Sequence, residues 1–301
     1  MGKCERFANC ADVSKARTLH IAFLNCDEPG EETKRKHGGF DDIMHSLLEP
    51  VLSEAQDEIA LVVDGYDVVQ AMEYPNDLQP LDAIIISGSF EADAHEDLPW
   101  IHKVLDFVRS VYREHARIRL IGICWGHQII ARAFGAKIEP NPAGWEVGAT
   151  TLHLTDAGKE LLNPVDWLDR RTVVIQQAHA DMVTSTPDGF ELLASSELCH
   201  HQALAMRYEG TPPSFTHACP HETLPYSSVR ILTSQGHPEW SSAIIDPLID
   251  GWLEDGMFND EFAAGAKQRT KQDDDGRRLA RSILRILGVS ETLKALPLPS
   301  A

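Results

Sequence analysis

The stretch Leu120–Gln128, LIGICWGHQ, restricts the fold more than any other part of the chain. An apolar run passes through Gly122, Ile123, Cys124, Trp125 and Gly126 straight into a helical pattern, HQIIARAFG. A strand that turns directly into a helix bends its backbone tightly, and neighbours without side chains relieve the crowding. Gly122 and Gly126 provide that room, so the stretch predicts a strand, an elbow at Cys124 and a helix. Elbows of this kind stand at the carboxyl edge of open α/β sheets, where ligands bind.

The rest of the chain agrees. From Thr18 onward, short β-rich runs such as LHIAFLN and DAIIISGS alternate with helical periodicity such as LPWIHKVLDFVRSVYREH. That alternation predicts an α/β fold, with a mostly parallel central sheet covered by helices on both faces. The runs at Ala83–Ile86 and Leu120–Ile123 are apolar enough to be strands buried on both sides. Between Gly144 and Arg230, the pieces EVGATTLHL, TVVIQQA, FELLASS and HQALAMRYE predict an added antiparallel portion, and SVRILTSQ reads as the last strand. Ala243–Leu253 is helical in pattern, KQRTKQDDDGRR reads as a solvated linker or helix start, and RLARSILRILG as a final amphipathic helix ended by Gly288. The chain divides into an N-terminal extension over 1–17, a main domain over 18–255 and a C-terminal helical extension over 256–301.

Composition excludes some functions. With 46 acidic against 27 basic residues, the net charge of -19 repels phosphate backbones and anionic lipid surfaces, so neither nucleic acid nor membrane is expected as a partner. The six cysteines, at 4, 10, 26, 124, 199 and 219, form no dense framework. The opening MGKCERFANCADVSKARTLH lacks the apolar core of a secretory signal, and a reducing, cytoplasmic setting is expected.

The elbow places Cys124 at the start of a helix, where unpaired N–H groups and the dipole favour a thiolate over a thiol. Cys124 is therefore a candidate nucleophile; a buried structural cysteine is the other reading. A thiolate nucleophile needs a proton shuttle. Of the 14 histidines, His237 follows an apolar strand in SQGHPEW and so also emerges at the carboxyl edge. Glu239 lies two residues on, on the same side of an extended segment, where it can accept the second imidazole N–H. Taken singly, a histidine before a proline is an ordinary loop residue; the pairing with the elbow points to chemistry. Cys199, His200 and His201, and the trio His217, Cys219 and His221, do not match paired metal-ligand spacings. They read as surface loop residues, and no metal is expected. Glu91 and Asp93 stand where they could meet a substrate ammonium group or simply place charge at the start of the next helix. Trp145 reads as a packing residue.

The elements GICWGHQ, QQAHADMV and GHPEW, in this order, resemble the class I glutamine amidotransferase superfamily over roughly Leu19 to Trp252. Within it the chain is similar to stand-alone members, which include plant γ-glutamyl peptidases and fungal amidotransferase-like proteins. The resemblance implies a flavodoxin-like sheet, no cofactor, and hydrolysis of a γ-glutamyl amide bond in glutamine, a γ-glutamyl peptide or a glutathione-like conjugate. It makes Cys124 the nucleophile, His237 the acid and base, and Glu239 the group that orients His237. It places the oxyanion donors at the N–H groups of Trp125 and Ser89, with Gly88 permitting the turn. Here Gly88-Ser89-Phe90 stands in place of the family's Gly-Gly-Pro. Gln128, His179 and Asp181 are implied to line the glutamyl pocket. The implied ligand is a small γ-glutamyl compound. Two other readings stay open: a glutaminase subunit that hands ammonia to a separate enzyme, and a catalytically silent interaction protein of the same fold.

Overall fold

The computed structural model describes residues 17–55, 58–162, 170–213 and 226–289. The chain begins with β1 (Arg17–Asn25), α1 (Glu31–His37), α2 (Phe40–Leu52), β2 (Ile59–Asp67) and β3 (Ala83–Ile86). Next come α3 (Pro99–Glu114), β4 (Arg119–Ile123), α4 (Trp125–Ala133), β5 (Ile138–Pro140), β6 (Glu146–Leu154) and α5 (Asp156–Leu162). Four strands follow: β7 (Thr172–His179), β8 (Asp181–Val183), β9 (Phe190–Ser195) and β10 (Ala203–Arg207). The last strand, β11 (Val229–Ser234), leads to α6 (Ser242–Glu254), α7 (Asp260–Arg269) and α8 (Gly276–Ile286). Cys4 and Cys10, and the trio His217, Cys219 and His221, lie outside the described residues.

Among the described residues nine strands form one sheet in the order β2-β1-β3-β4-β11-β10-β9-β6-β7, and β5 pairs with β8 in a small antiparallel sheet of two. The strands from β2 to β11 are mutually parallel. Beyond β11 every pairing is antiparallel. The predicted α/β architecture is present, and the antiparallel portion extends the parallel sheet edge to edge.

Side-chain alternation explains why the central strands look uniformly apolar. Leu19, Ile21 and Phe23 of β1, with Ile85 of β3, enter a core built with α2, α6, α7 and α8. Ala22, Leu24, Ile84 and Ile86 point the other way, into a core built with α3 and α4. Both faces are covered, so neither set can be polar.

One expectation is extended and one corrected. The charge-dense segment 267–278 is exposed over Lys271–Asp274 and starts α8 at Gly276, as a solvated stretch and helix start, and it also binds the sheet. The N–H of Asp275 donates to the Val174 carbonyl at 2.7 Å, while the Asp275 carboxylate accepts from the Val174 N–H at 2.9 Å. Gln176 Nε2 donates to the Thr270 carbonyl at 3.1 Å. The segment thus satisfies β7, an edge strand whose outer groups have no neighbouring strand. Cys199 and His201, expected at the surface, are buried: they are 1% and 7% exposed. Ser196 and Cys199 close a tight turn through reciprocal hydrogen bonds, N–H of Ser196 to the Cys199 carbonyl at 2.8 Å and N–H of Cys199 to Ser196 Oγ at 3.0 Å. Burial there pushes the Cys199 thiol up to about 12.

Candidate active site

Strands β3, β4 and β11 are adjacent and parallel, so the segments that leave their carboxyl ends converge. They carry Gly88–Ser89, Cys124 and Gln235–Glu239 respectively. The elbow is strained: Cys124 has φ 52° and ψ −107°, a backbone conformation that costs an L-residue energy. Two close approaches explain its glycines. A Cβ at Gly122 would meet the Gly126 carbonyl oxygen at 2.4 Å, and a Cβ at Gly126 would meet the Ile86 carbonyl oxygen at 2.2 Å. The Cys124 N–H donates to the Ser234 carbonyl at 2.8 Å, and the Gly126 N–H to the Ser87 carbonyl at 3.0 Å, pinning the elbow to both neighbouring strands.

Gly88 marks where nucleophile and imidazole meet. A Cβ built on it would lie 2.9 Å from His237 Cε1, 3.6 Å from His237 Nε2 and 3.4 Å from Cys124 Cβ. Behind the imidazole, Nδ1 faces Glu239 Oε1 at 2.8 Å, as the two-residue spacing predicts. The His237 N–H donates to the Gln176 carbonyl at 2.8 Å, and Trp240 stacks on the ring at a centroid distance of 3.5 Å and an angle of 10°. Burial by itself favours a neutral ring; the Glu239 carboxylate and the Cys124 sulfur outweigh it and raise the pKa of His237 to about 9. His127, nearer in sequence, is a different case. It is buried with Nδ1 2.7 Å from Thr233 Oγ1, and burial together with the neighbouring His179 and His201 lowers it to about 3.

Among the described residues the N–H groups of Ser89 and Trp125 have no internal acceptor. Asp27 holds the loop that bears Ser89, accepting from the Phe90 N–H at 2.7 Å. Helix α3 starts only at Pro99, so Glu91 and Asp93 do not charge its first turn. Asp93, His95 and Asp181 instead cluster with ligand-type atoms within 4.8 Å of one another. Burial, then the Asp93 charge, raises the pKa of Asp181. Trp145 packs on Trp252 and Phe258 at centroid distances of 5.3 and 5.4 Å, as expected of a packing residue.

The three residues implied for the glutamyl pocket are joined through one carbonyl. The Asp181 carbonyl accepts from Gln128 Nε2 at 3.2 Å and faces His179 Nδ1 at 2.9 Å. His179 Nε2 faces Glu146 Oε2 at 3.0 Å, and Gln202 Nε2 donates to the same oxygen at 2.5 Å. The sequence assigns no role to two further participants. Glu146 meets His179 because the antiparallel register of β6 and β7 sets them opposite each other. Gln235, wholly buried, donates from Nε2 to Cys124 Sγ at 3.6 Å. Its position two residues before His237 was the available signal.

Beside the Ser89 loop, at the carboxyl ends of β1 and β2, opens a cleft of about 490 Å³. Asp27, Glu28, Asp41, Asp67 and Glu91 line it, with Lys34 as its basic residue.

Comparison with known proteins gives the family. Residues 53–216 match the family model described as glutamine amidotransferase class-I. The chain belongs to the class I glutamine amidotransferase family. It is 34% identical over 271 residues to a glutamine amidotransferase-like protein of Schizosaccharomyces pombe, covering 89% of this chain and 98% of that one. It is 26% identical to gamma-glutamyl peptidase 3 of Arabidopsis thaliana, covering 85% of this chain and 90% of that one. The fold matches a solved glutamine amidotransferase of Thermotoga maritima with a TM-score of 0.59 at 14% identity, over 89% of this chain and 96% of that one. The family model ends before His237, whereas the alignment with the Schizosaccharomyces pombe protein takes in most of the chain. No helix among the described residues is long and apolar enough to cross a membrane.

Proposed function

We propose that this class I amidotransferase hydrolyses a γ-glutamyl amide bond by itself, through a γ-glutamyl thioester on Cys124. The observation that carries the reading is the meeting of Cys124 and His237 at Gly88, with Glu239 Oε1 2.8 Å behind the ring. The sulfur attacks the amide carbon, and the electrons of the C=O bond move onto oxygen. The N–H groups of Ser89 and Trp125, which have no internal acceptor among the described residues, support that oxyanion. His237, whose raised pKa of about 9 keeps its proton at neutrality, gives that proton to the departing amine as the C–N bond breaks. The ring then takes a proton from water, whose oxygen attacks the thioester carbonyl; glutamate leaves and the thiolate returns. Glu239 engages Nδ1 and so leaves Nε2 for the proton transfers.

Gln128, His179 and Asp181 form the glutamyl side of the site in this reading. The likeness to gamma-glutamyl peptidase 3 supports a peptidase-like substrate over glutamine alone. The test is a panel of glutamine, γ-glutamyl peptides and S-substituted glutathiones with released glutamate as readout. The parent protein is expected to turn over at least one γ-glutamyl peptide or conjugate without a partner protein, and Cys124→Ala to turn over none while keeping the parent's circular dichroism. Parent-rate turnover by Cys124→Ala would refute the thioester route. Activity that appears only after a second protein is added would favour the ammonia-donating subunit.

A further inference from the structure

We infer that Gln235 is a further catalytic residue, which presents an N–H to the Cys124 sulfur in an orientation dictated by the Asp181 backbone carbonyl through Gln128. The inference rests on the proposed role of Cys124 as nucleophile and adds to it.

A glutamine side chain carries a donor on one branch and an acceptor on the other, so its usefulness to a thiolate depends on which branch faces the sulfur. The pattern of neighbours decides. A backbone carbonyl can only accept, so Asp181 O selects the Nε2 end of Gln128, at 3.2 Å. The second N–H of the same nitrogen then needs an acceptor, which Gln235 Oε1 provides at 3.0 Å. With its oxygen committed, Gln235 has only Nε2 left for Cys124 Sγ, at 3.6 Å. Turning the Gln235 amide over would set donor against donor at Gln128 and an oxygen against the sulfur. Both Gln128 and Gln235 are buried, at 4% and 0% exposure, so water cannot repair such a mismatch.

The carbonyl that starts this chain is itself held. His179 Nδ1 faces it at 2.9 Å, and the ring is braced by Glu146 Oε2 at 3.0 Å, which Gln202 also engages. Glu146 and His179 are thus positioning residues for the sulfur's donor, acting through the Asp181 carbonyl, Gln128 and Gln235. Among the described residues the His237 ring also acts on the sulfur, and the Ala178 carbonyl lies 4.0 Å from it. His127 on α4 is neutral, and Glu239 reaches the sulfur only through His237. Gln235 is thus a neutral donor to the sulfur, and it supports negative charge there both before attack and after the thioester is released.

The test reads the sulfur without any γ-glutamyl substrate. Alkylation of Cys124 by iodoacetamide is followed at its own peptide by mass spectrometry, in the parent, Gln235→Met, Gln235→Glu and Gln128→Met. All three variants are expected to alkylate about 10-fold more slowly at neutral pH, the loss of one hydrogen bond to a charged group, and to regain the parent rate at alkaline pH. A merely structural role would leave the neutral rate unchanged. Parent-like alkylation at neutral pH in folded Gln235→Met and Gln235→Glu overturns the inference. If neither folds, the parent and Cys124→Ala decide instead: the side-chain amide proton of Gln235 in an NMR spectrum is expected to shift when the sulfur is removed, and an unmoved signal overturns the inference. A protein that hydrolyses no γ-glutamyl compound yet gives these results would refute the proposed substrate and leave Gln235's role standing.

Discussion

Residue geometry makes the elbow sensitive to single atoms. Gly126→Ala places a methyl group 2.2 Å from a backbone oxygen that has no rotamer to escape into. The expected outcome is destabilisation by about 1–3 kcal/mol, read by urea unfolding, together with loss of turnover as the elbow shifts. Gly251→Ala is the control: nothing lies within 4 Å of its Cβ inside α6, so it is expected to stabilise by about 0.5–1 kcal/mol. The pH behaviour of His237 follows from its raised pKa. The stability it contributes is full below its ordinary value of 6.5 and is lost as pH rises through about 9. The stability gap between the parent and Glu239→Gln should therefore narrow across that window in thermal melts. In kinetics, kcat/KM is expected to fall as pH passes about 9, and Glu239→Gln to move that fall toward neutrality, with kcat reduced about 10–100-fold. An alkaline limb unmoved by Glu239→Gln would show that the carboxylate does not govern the ring. Cys124, His237 and Glu239 were legible because elbow and spacing are local patterns. Gln235 was not, because its partner Gln128 lies 107 residues away.

At the scale of elements, the final helix shows how a pattern can be legible while its use is not. Apolar periodicity predicts α8 and its stop at Gly288, where φ is 76°. Periodicity alone does not say that Leu279 and Ile283 complete the same core as β1 and α2, or that Arg17 donates to the Leu287 and Gly288 carbonyls at 2.5 and 2.6 Å. Ile283 is fully buried, so Ile283→Ala is expected to cost about 2–5 kcal/mol in a single urea transition. A helix that frayed independently would instead give little loss of global stability. The ion pairs of Glu54 with Arg277 and Arg281, both 2.7 Å, join this helix to the residues after α2 near the surface. Glu54→Ala should therefore cost less than about 1 kcal/mol in the same assay. The segment 270–275 is a related case: Lys271–Asp274 face solvent as their charge suggests, yet the open edge of β7 also takes Thr270 and Asp275 as hydrogen-bond partners, which charge does not reveal.

The whole molecule carries a net charge of -19, and the cleft beside the Ser89 loop concentrates that sign. If the leaving group occupies this cleft, a γ-glutamyl substrate whose leaving amine bears a carboxylate is expected to react more slowly than a neutral or cationic one at low salt. Added salt should narrow the difference, since screening weakens exposed charge repulsion. Equal rates at low salt would place the leaving group elsewhere. The sequence by itself determined the elbow, the alternation that builds a covered parallel sheet, and the imidazole–carboxylate spacing. Each depends on residues a few positions apart and on periods the backbone imposes. Tertiary structure alone decided which distant groups share a hydrogen bond: Gln235 with Cys124, Glu146 with His179, and the tail with β7. Those contacts depend on strand order and register, which bring together residues that no local pattern connects.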